Sequence, residues 1–350
     1  MSKVLSEKDR LIVDPRLWSE INDMRQRQRR MAQEAPVLAL ANGSTVAVKT
    51  KKILLIGVGY VGSYLLPALR NDGYTVDACD HSGEAGVDIR YPYSHQILGE
   101  LTLESYDVVL FFAGVSNVKD AKADPLNALA ENAIGLVTLK SRMRPDARLI
   151  YASSGSLYSL PLDTVGKIAV PWCVEEDMIG PGLNAYDQSK AVFDHIATGF
   201  FKNTVGLRMG TVCGWSSRLR PELLFNAMCL SALREGVVRV ANPMAWRSIL
   251  FLDDLYAVVR ACVEAADPPA ILNVASGAYT MDSLGYFVAR AFGVKRTYIA
   301  NSPTYNFRMN TGKMHRLLFP SETKEGLLQD RCRQFVADRC RQFVADMARN

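Results

Sequence analysis

A glycine-rich turn between a short apolar strand and a helix is the feature of this sequence that most restricts its fold. Residues 53–56 are Ile-Leu-Leu-Ile, and Gly57, Gly59 and Gly62 follow in the spacing Gly-x-Gly-x-x-Gly. This spacing suits a strand that turns sharply into a helix whose first backbone N–H groups hold a pyrophosphate. Asp80 ends the next predicted strand, where a carboxylate accepts hydrogen bonds from an adenosine ribose. The pattern predicts a dinucleotide site, and because Asp80 would repel a 2′-phosphate, it favours NAD over NADP.

Predicted strands and helices alternate along most of the chain. We expect strands at 53–56, 74–78, 108–112, 148–152, 205–208, 249–252 and 271–274, and helices at 60–70, 126–143, 184–200, 221–234 and 254–266. Such alternation is typical of a parallel sheet covered by helices on both faces. The sequence therefore predicts an α/β fold, with a Rossmann-type doubly wound parallel sheet and a smaller C-terminal α/β substrate lobe.

The expected domain boundaries follow from this alternation. Residues 50–212 should form the NAD-binding domain, completed by about 245–275, and residues 213–320 should form mainly the substrate-binding lobe. Residues 1–49 are predicted to be an N-terminal extension with a helix after Asp14. Residues 321–350 are predicted to form a helix in which the octapeptide DRCRQFVA occurs twice in succession. Because a period of eight drifts around a helix, we expect this helix to lie on the surface.

Composition excludes several classes of protein. Of the 350 residues, 49% are hydrophobic and 22% are charged, which is ordinary globular usage, and a net charge of +5 does not by itself indicate nucleic-acid binding. The seven cysteines contain no Cys-x-x-Cys pair, which argues against a zinc ribbon or a disulfide framework and favours a cytoplasmic location. The sequence contains no apolar run long enough to span a membrane, and its four histidines are not at metal-ligand spacing.

Hydroxyl and amine side chains form a second candidate site. Ser153, Ser154 and Ser156 follow a predicted buried strand, at the edge where open α/β sheets bind ligands. Tyr186 and Lys190 are four residues apart and share one helix face. An ammonium beside a phenol should lower the phenol pKa and produce a general base. Alone, each motif is more common as a polar loop or a surface pair, but together with the glycine turn they indicate a catalytic site.

These motifs, in this order, resemble the extended short-chain dehydrogenase/reductases, also called NAD-dependent epimerase/dehydratases, over about residues 50–320. The resemblance implies that Tyr186 takes a hydroxyl proton, that Lys190 activates it, and that Ser154 donates a hydrogen bond to the same oxygen. A hydride would move to the nicotinamide at the same time. The resemblance also implies a homodimer formed through the helix at 184–200, where an apolar stripe would be supplied by Val192, Ile196 and Phe200.

The resemblance also assigns the remaining site residues. The expected cofactor contacts are Gly57, Gly59, Tyr60, Val61, Gly62, Asp80, His81, Asp88, Ile89, Phe112, Ala113, Gly114, Asn132, Tyr186, Lys190 and Arg208. The expected substrate contacts are Val115, Ser116, Ser156, Thr211, Arg218, Arg247 and Arg308, with Arg247 matching the arginine that usually contacts a nucleotide-sugar diphosphate. No metal site and no nucleic-acid or membrane partner are expected.

Departures from the family pattern leave the reaction open. Position 156 is Ser where sugar dehydratases of the family generally carry an acid, so we expect no carboxylate there and dehydration is disfavoured. Thr211 and Cys213 replace an Asn and a Tyr common in sugar epimerases, and Ile56 replaces the usual first glycine. The leading hypothesis is an NAD-dependent nucleotide-sugar epimerase that works through a transient keto intermediate. The alternatives are an NAD(P)H-dependent ketoreductase or dehydrogenase and a non-catalytic dinucleotide-binding scaffold.

Overall fold

The computed structural model describes residues 51–81, 86–90, 101–161, 165–177, 184–319 and 332–349, the last with side chains from 338 to 347. The helix expected after Asp14 and the start of the first octapeptide lie outside these residues.

The first half of the described chain alternates between strands and helices as predicted. Its elements are β1 (Lys52–Ile56), α1 (Gly62–Asn71), β2 (Thr75–Asp80), β3 (Ile89–Arg90), β4 (Val108–Phe111), α2 (Val118–Ala123), α3 (Pro125–Leu129), α4 (Gly135–Arg142) and β5 (Arg148–Ser154). A π-helical turn, Ala130–Ile134, joins α3 to α4, and a 3₁₀ turn, Gly155–Tyr158, follows β5.

The second half contains shorter strands between its helices. Its elements are β6 (Trp172–Cys173), α5 (Ala185–Phe200), β7 (Thr204–Met209), β8 (Thr211–Cys213), α6 (Leu224–Glu235), β9 (Val237–Val240), β10 (Trp246–Phe251), α7 (Leu252–Glu264), β11 (Ile271–Val274), β12 (Gly277–Thr280), α8 (Met281–Phe292), β13 (Lys295–Tyr298), β14 (Arg308–Met309), α9 (Gly312–Leu318) and α10 (Cys332–Arg349).

Seven parallel strands form the central sheet, in the order β11-β7-β5-β4-β1-β2-β3. The chain runs outward from β1 to β3 and then returns to β4 on the other side of β1. This reversal is the topological switch point, beside which doubly wound sheets bind their ligands. The predicted fold class is confirmed.

Both faces of the sheet are buried, because successive strand side chains point to opposite sides. Ile53 and Leu55 pack on one side with residues of α1 and α7 such as Leu65 and Leu255. Leu54, Ile56 and Val109 pack on the other side with side chains of α4 and α5, among them Leu139 and Phe193. The continuous apolar run of β1 therefore serves two cores at once.

The C-terminal lobe has its own core. Strand β10 pairs parallel with β8 and antiparallel with β12, whereas β11 joins the central sheet. The helix predicted to lie on the surface over 321–350 buries one face in the second octapeptide. Cys340, Phe343 and Val344 share one face of α10 and are buried against the lobe, because their spacing of three and four residues places them side by side. None of the described helices is long and apolar enough to cross a membrane.

Candidate active site

The glycine turn between β1 and α1 has two tight positions and one open position. Gly57 has a φ of +97°, and a Cβ there would lie 2.7 Å from the backbone nitrogen of Ala113. A Cβ at Gly62 would lie 1.9 Å from the carbonyl oxygen of Gly57. A Cβ at Gly59 would meet no atom within 4 Å, and Gly59 lines a cavity. The turn thus closes without a glycine at Ile56 and leaves space at the N-terminus of α1 for a pyrophosphate.

Asp80 lies at the end of β2 and is almost fully buried. Its Oδ2 accepts a hydrogen bond of 2.6 Å from the backbone N–H of Val58, so the carboxylate also fixes the glycine turn. Its Oδ1 is 3.3 Å from Nδ1 of His81 and 3.9 Å from Nη1 of Arg218. Arg218 also donates to the carbonyl oxygen of Val58, and it therefore bridges the C-terminal lobe to the turn.

A cavity of about 700 Å³ runs from this turn along the carboxyl ends of β1, β4, β5 and β7. The tertiary structure brings most of the predicted site residues together around it. Those that line the cavity are Gly57, Gly59, Tyr60, Val61, Asp80, His81, Phe112, Ala113, Gly114, Val115, Ser116, Ser154, Ser156, Tyr186, Lys190, Thr211 and Arg247.

Two predicted arginines point elsewhere. Nε of Arg208 donates to Asp194 at 2.8 Å, and its Nη1 contacts Tyr158, so its charge belongs to a buried network under the strand ends. The guanidinium of Arg308 lies between two indole rings, 4.8 Å from the centroid of Trp172 and 4.6 Å from that of Trp246. Neither of these arginines lines the cavity, and neither does Arg218, a predicted substrate contact that is held at the glycine turn instead.

Four other residues that were predicted to contact the cofactor do not line the cavity but support its surroundings. Asn132, in the π turn, donates to the carbonyl oxygen of Val115 and to Ser189, both at 2.9 Å, and so holds the cavity wall in place. Asp88 accepts from the backbone N–H of Ala78 at 2.7 Å beside β2. Ile89 packs against the sheet core, and Gly62 contacts Gly57.

Ser154, Tyr186 and Lys190 meet at one point of the cavity wall. Ser154 ends β5, and Tyr186 lies on the first turn of α5, where the Ser154 hydroxyl is close enough to act on the Tyr186 pKa. Lys190 lies one turn further along α5, with Nζ 6.0 Å from the centroid of the Tyr186 ring. This cluster can exchange a proton with a hydroxyl or keto oxygen that lies against it.

Burial dominates the electrostatics of this cluster. It lowers the pKa of Lys190 to about 8, although the nearby Asp194 raises it. Burial also raises the pKa of Tyr186, and the neighbouring Ser154 hydroxyl offsets this only in part. The expectation of a lowered phenol pKa is therefore wrong for this arrangement, because desolvation disfavours the phenolate more than its neighbours stabilise it.

Sequence reasoning missed Asp187. Its buried carboxylate accepts hydrogen bonds from the hydroxyl of Ser156 and, at 2.7 Å, from Nδ2 of Asn184. Position 156 has no carboxylate of its own, but α5 places the Asp187 carboxylate against the Ser156 hydroxyl. The expectation that no carboxylate is available there is thus wrong. The available signal was the Asn184-x-x-Asp187 spacing of a helix N-cap, in which the Asn184 side chain accepts from the backbone N–H of Asp187 at 3.1 Å.

Arg247 supplies a positive charge to the far wall of the cavity. Its guanidinium lies 5.3 Å from the ring centroid of Tyr305 and 5.7 Å from that of Phe307. Among the described residues, no carboxylate lies within 4 Å of it, and its Nε has no hydrogen-bond partner. Desolvation lowers its pKa to about 10, so it remains a cation at neutral pH. An uncompensated guanidinium beside a cavity favours an anionic ligand.

Further cavity residues were not singled out from the sequence; they include Asp120, Asn127, Glu131 and Tyr305, whereas Arg220, which also lines the cavity, was considered as a candidate beside Arg218. Within the described residues, there is no group of three or more His, Cys, Asp or Glu side chains that could hold a metal ion.

Comparisons with known proteins agree with this geometry. A sequence relative, UDP-glucose 4-epimerase 2 of Arabidopsis thaliana, is 30% identical over 172 residues, which are 42% of this chain and 46% of that protein. The chain thus spans about half the length of the epimerase relatives that it matches.

Two solved structures share the fold. One is UDP-glucose 4-epimerase of Thermotoga maritima with UDP-glucose, with a TM-score of 0.67, 18% identity, and coverage of 85% of this chain and 99% of that one. The other is MoeE5 in complex with UDP-glucose and NAD, with a TM-score of 0.66, 19% identity, and coverage of 85% and 98%.

A family profile covers more than half of the chain. It is that of the NAD dependent epimerase/dehydratase family, and it matches residues 53–275, from β1 to the end of β11. The match includes the glycine turn, Asp80, Ser154, Tyr186, Lys190 and Arg247. The chain belongs to the NAD-dependent epimerase/dehydratase family, enzymes of the extended short-chain dehydrogenase/reductase type whose usual cofactor is NAD.

Proposed function

We propose that this protein is an NAD-dependent epimerase that acts on a nucleotide-sugar through a transient keto intermediate. One observation carries the proposal: Ser154, Tyr186 and Lys190 share a single cavity with the glycine turn and with the uncompensated cation of Arg247. The turn suits a dinucleotide, and Arg247 suits the diphosphate of a nucleotide-sugar. The hydroxyl cluster lines the same cavity, and the sugar would lie against it.

The residues of the turn fit NAD. The open space at Gly59 suits a pyrophosphate at the N-terminus of α1, and Asp80 suits the hydroxyls of a ribose. His81, Phe112, Ala113 and Gly114 continue along the same wall. When bound, NAD supplies a reversible hydride acceptor. The acidic end of β2 supports NAD over NADP.

The chemistry assigned to the chain itself is proton transfer and orientation. Tyr186 takes the proton of the sugar hydroxyl, and it returns a proton when the keto group is reduced. The cationic form of Lys190 favours the phenolate, and Ser154 holds the oxygen in place. The keto-sugar would have to rotate so that either of its faces can be reduced. The space for this rotation is lined by Val115, Ser116, Ser156 and Thr211. The names of the sequence relatives, UDP-glucose 4-epimerases, support this substrate class.

The deciding experiment begins with the freshly purified protein. Denaturation should release near-stoichiometric NAD⁺ or NADH, because an epimerase regenerates its cofactor in place. The protein should also interconvert UDP-glucose or another UDP-sugar with its 4-epimer, without net consumption of cofactor. Net consumption of NADH or NADPH with a keto-sugar would instead identify a reductase, and accumulation of a dehydrated keto-sugar would identify a dehydratase.

A matched variant tests the proposed base. We expect Tyr186→Phe to reduce turnover at least about a hundredfold, because the ring is kept while the proton acceptor is lost. The amount of retained dinucleotide should not change. Unchanged turnover would remove Tyr186 from the mechanism, and an absence of turnover in the native protein, together with bound NAD, would favour a non-catalytic scaffold.

We also propose a cytoplasmic location. The six cysteines whose side chains are described are buried free thiols, as in proteins of a reducing compartment.

A further inference from the structure

A chain of hydrogen bonds runs from Ser154, beside Tyr186 on the cavity wall, to a buried carboxylate. The Ser154 hydroxyl acts on the pKa of Tyr186, and the hydroxyl oxygens of Ser154 and Ser156 are 2.7 Å apart. Ser156 in turn donates to Oδ1 of Asp187. Asp187 directly follows Tyr186 in the sequence, yet it does not line the cavity, and only about 1% of it is exposed. It can therefore act on Ser154 and Tyr186 by way of Ser156, while Tyr305 connects it to another part of the cavity wall.

The charge of Asp187 sets the direction of every hydrogen bond in this chain. An ionised carboxylate only accepts, so Ser156 must donate its proton to Asp187 and can then only accept from Ser154. Ser154, with its proton given to Ser156, accepts from the Tyr186 hydroxyl. When Asp187 is protonated, it donates to Ser156 and all three bonds reverse, so that Ser154 donates toward Tyr186 and the substrate oxygen.

The surroundings of Asp187 act on its pKa in opposite directions, and burial is the largest effect. Burial raises its pKa, while the hydrogen bonds from Ser156, Tyr305 and Asn184 act in the opposite direction. The hydroxyl of Tyr305 lies 3.2 Å from Oδ1 and 3.1 Å from Oδ2. The charged groups near this region include Arg247, over the ring of Tyr305, Arg220, near Tyr186, and Lys190, whose Nζ is 6.0 Å from the centroid of the Tyr186 ring. Among the described residues, no cation lies within 4 Å of the carboxylate.

We propose that Asp187 is a positioning residue that stores the Tyr186 proton by way of Ser154 and Ser156. In this step the O–H bond of Tyr186 breaks and its proton passes to Ser154, while Ser154 gives its own proton to Ser156 and Ser156 gives its own to Oδ1 of Asp187. The products are a Tyr186 phenolate and a neutral Asp187 carboxyl, and no electrons are transferred. The proposal rests on the proposed function, because it concerns the proton that Tyr186 exchanges with the sugar.

A kinetic test uses the isosteric variant Asp187→Asn. Because the relay needs an ionised acceptor, the rate of the native enzyme should fall as the pH drops through the pKa of Asp187, which lies above the ordinary aspartate range. In Asp187→Asn this acid limb should disappear, and the rate should be about tenfold to a hundredfold lower at neutral pH. Ser156→Ala should have the same effect, and the double variant should lose no more than either single variant.

Asp146→Asn is the matched control. This aspartate is exposed, with 77% of its side chain accessible, and its substitution should leave the rate and the pH profile unchanged. A merely structural Asp187 would give a different result. Asparagine keeps the shape of the side chain, so any loss would then be the same factor at every pH, and the losses from Asp187→Asn and Ser156→Ala would add. Either outcome would overturn the relay.

A substrate-free measurement separates this inference from the proposed function. The infrared C=O stretch of the protonated Asp187 carboxyl is identified by its loss in Asp187→Asn, and its pH midpoint is then measured. Ser156→Ala should move that midpoint upward, because it removes a hydrogen bond that favours the ionised form. If no sugar is turned over, the proposed epimerase fails but this readout still decides the relay. An unchanged midpoint would show that Ser156 does not connect to Asp187.

Discussion

Lys190 and Arg247 both bring positive charge to the cavity, and burial affects the two differently. The pKa of Lys190 falls to about 8, so its charge depends on pH near neutrality. The pKa of Arg247 falls only to about 10, so its charge persists. Lys190, which would tune a proton exchange, is thus titratable near neutral pH, whereas Arg247, which would attract an anion, keeps its charge.

The alkaline side of the pH–rate profile should report Lys190. A lysine with a lowered pKa is charged below that pKa and neutral above it, so the rate should fall as the pH rises through about 8. We expect Lys190→Arg to be slower at neutral pH but to lack this alkaline fall, because a guanidinium stays charged. The measurement is kcat between pH 6 and about pH 10. An alkaline limb that is identical in both proteins would assign it to another group.

Arg247 should matter for the ligand and not for the fold. Arg247→Gln should weaken the binding of UDP about tenfold to a hundredfold, because a charge-assisted contact with the diphosphate is lost. The free energy of unfolding of the ligand-free protein should not fall, since a half-buried cation without a carboxylate partner among the described residues is itself unfavourable. Calorimetric titration with UDP and urea denaturation measure the two effects. Arg234→Gln, an exposed arginine of α6, is the control and should leave UDP binding unchanged.

At the scale of elements, the turn from β1 to α1 contains two glycines that the fold requires, Gly57 and Gly62, and one that a bound ligand would require, Gly59. Gly59→Ala should leave the free energy of unfolding within about 1 kcal/mol, because its Cβ would meet no atom. It should nevertheless abolish dinucleotide retention, since the methyl would occupy the space for the pyrophosphate.

Gly62→Ala is the contrasting variant. Its Cβ would lie 1.9 Å from the carbonyl oxygen of Gly57, so we expect the free energy of unfolding to fall by about 1–3 kcal/mol or more. Thermal denaturation and the absorbance of the released dinucleotide distinguish the two variants. Dinucleotide retained in full by Gly59→Ala would place the pyrophosphate elsewhere.

The helix expected at 126–143 contains a structural feature that the local sequence pattern does not predict. Its extent is close to that of α3, the π turn and α4 together, but the π turn at Ala130–Ile134 is not visible in the apolar periodicity. That turn buries Asn132 toward Val115 and Ser189. A helix of regular period predicts which face is apolar, whereas an extra residue in one turn depends on partners that are distant in the sequence.

At the scale of the whole molecule, an apolar surface on α5 and its neighbour supports a homodimer. Phe200 is 82% exposed and Val192 is 40% exposed on α5, while Leu126 is 78% exposed and Ile134 is 48% exposed on the segment packed beside it. Large apolar side chains grouped in this way on a surface are typical of an interface. We expect the native protein to have twice the chain mass in solution, and Phe200→Glu to have the mass of one chain.

The control for this prediction is Ile299→Glu, which adds the same charge at an exposed apolar position that follows β13, in the C-terminal lobe. Its mass in solution should equal that of the native protein. A native protein with the mass of one chain would contradict the homodimer, and a change with both variants would point to a general effect of charge.

The sequence by itself determined the order of the main strands and helices and the glycine turn. It also indicated the candidate site residues Asp80, Ser154, Tyr186 and Lys190. These follow from local rules, because strand burial, helix spacing and turn glycines are set by residues close together in the chain. Only the tertiary structure decided that Arg208 and Arg308 are held away from the cavity and that the second octapeptide completes the lobe core. It also decided the contact of Asp187 with Ser156 and the direction of the Tyr186 pKa shift. Hydrogen-bond partners and desolvation depend on which distant segments meet, and the spacing of residues along a chain does not contain that information.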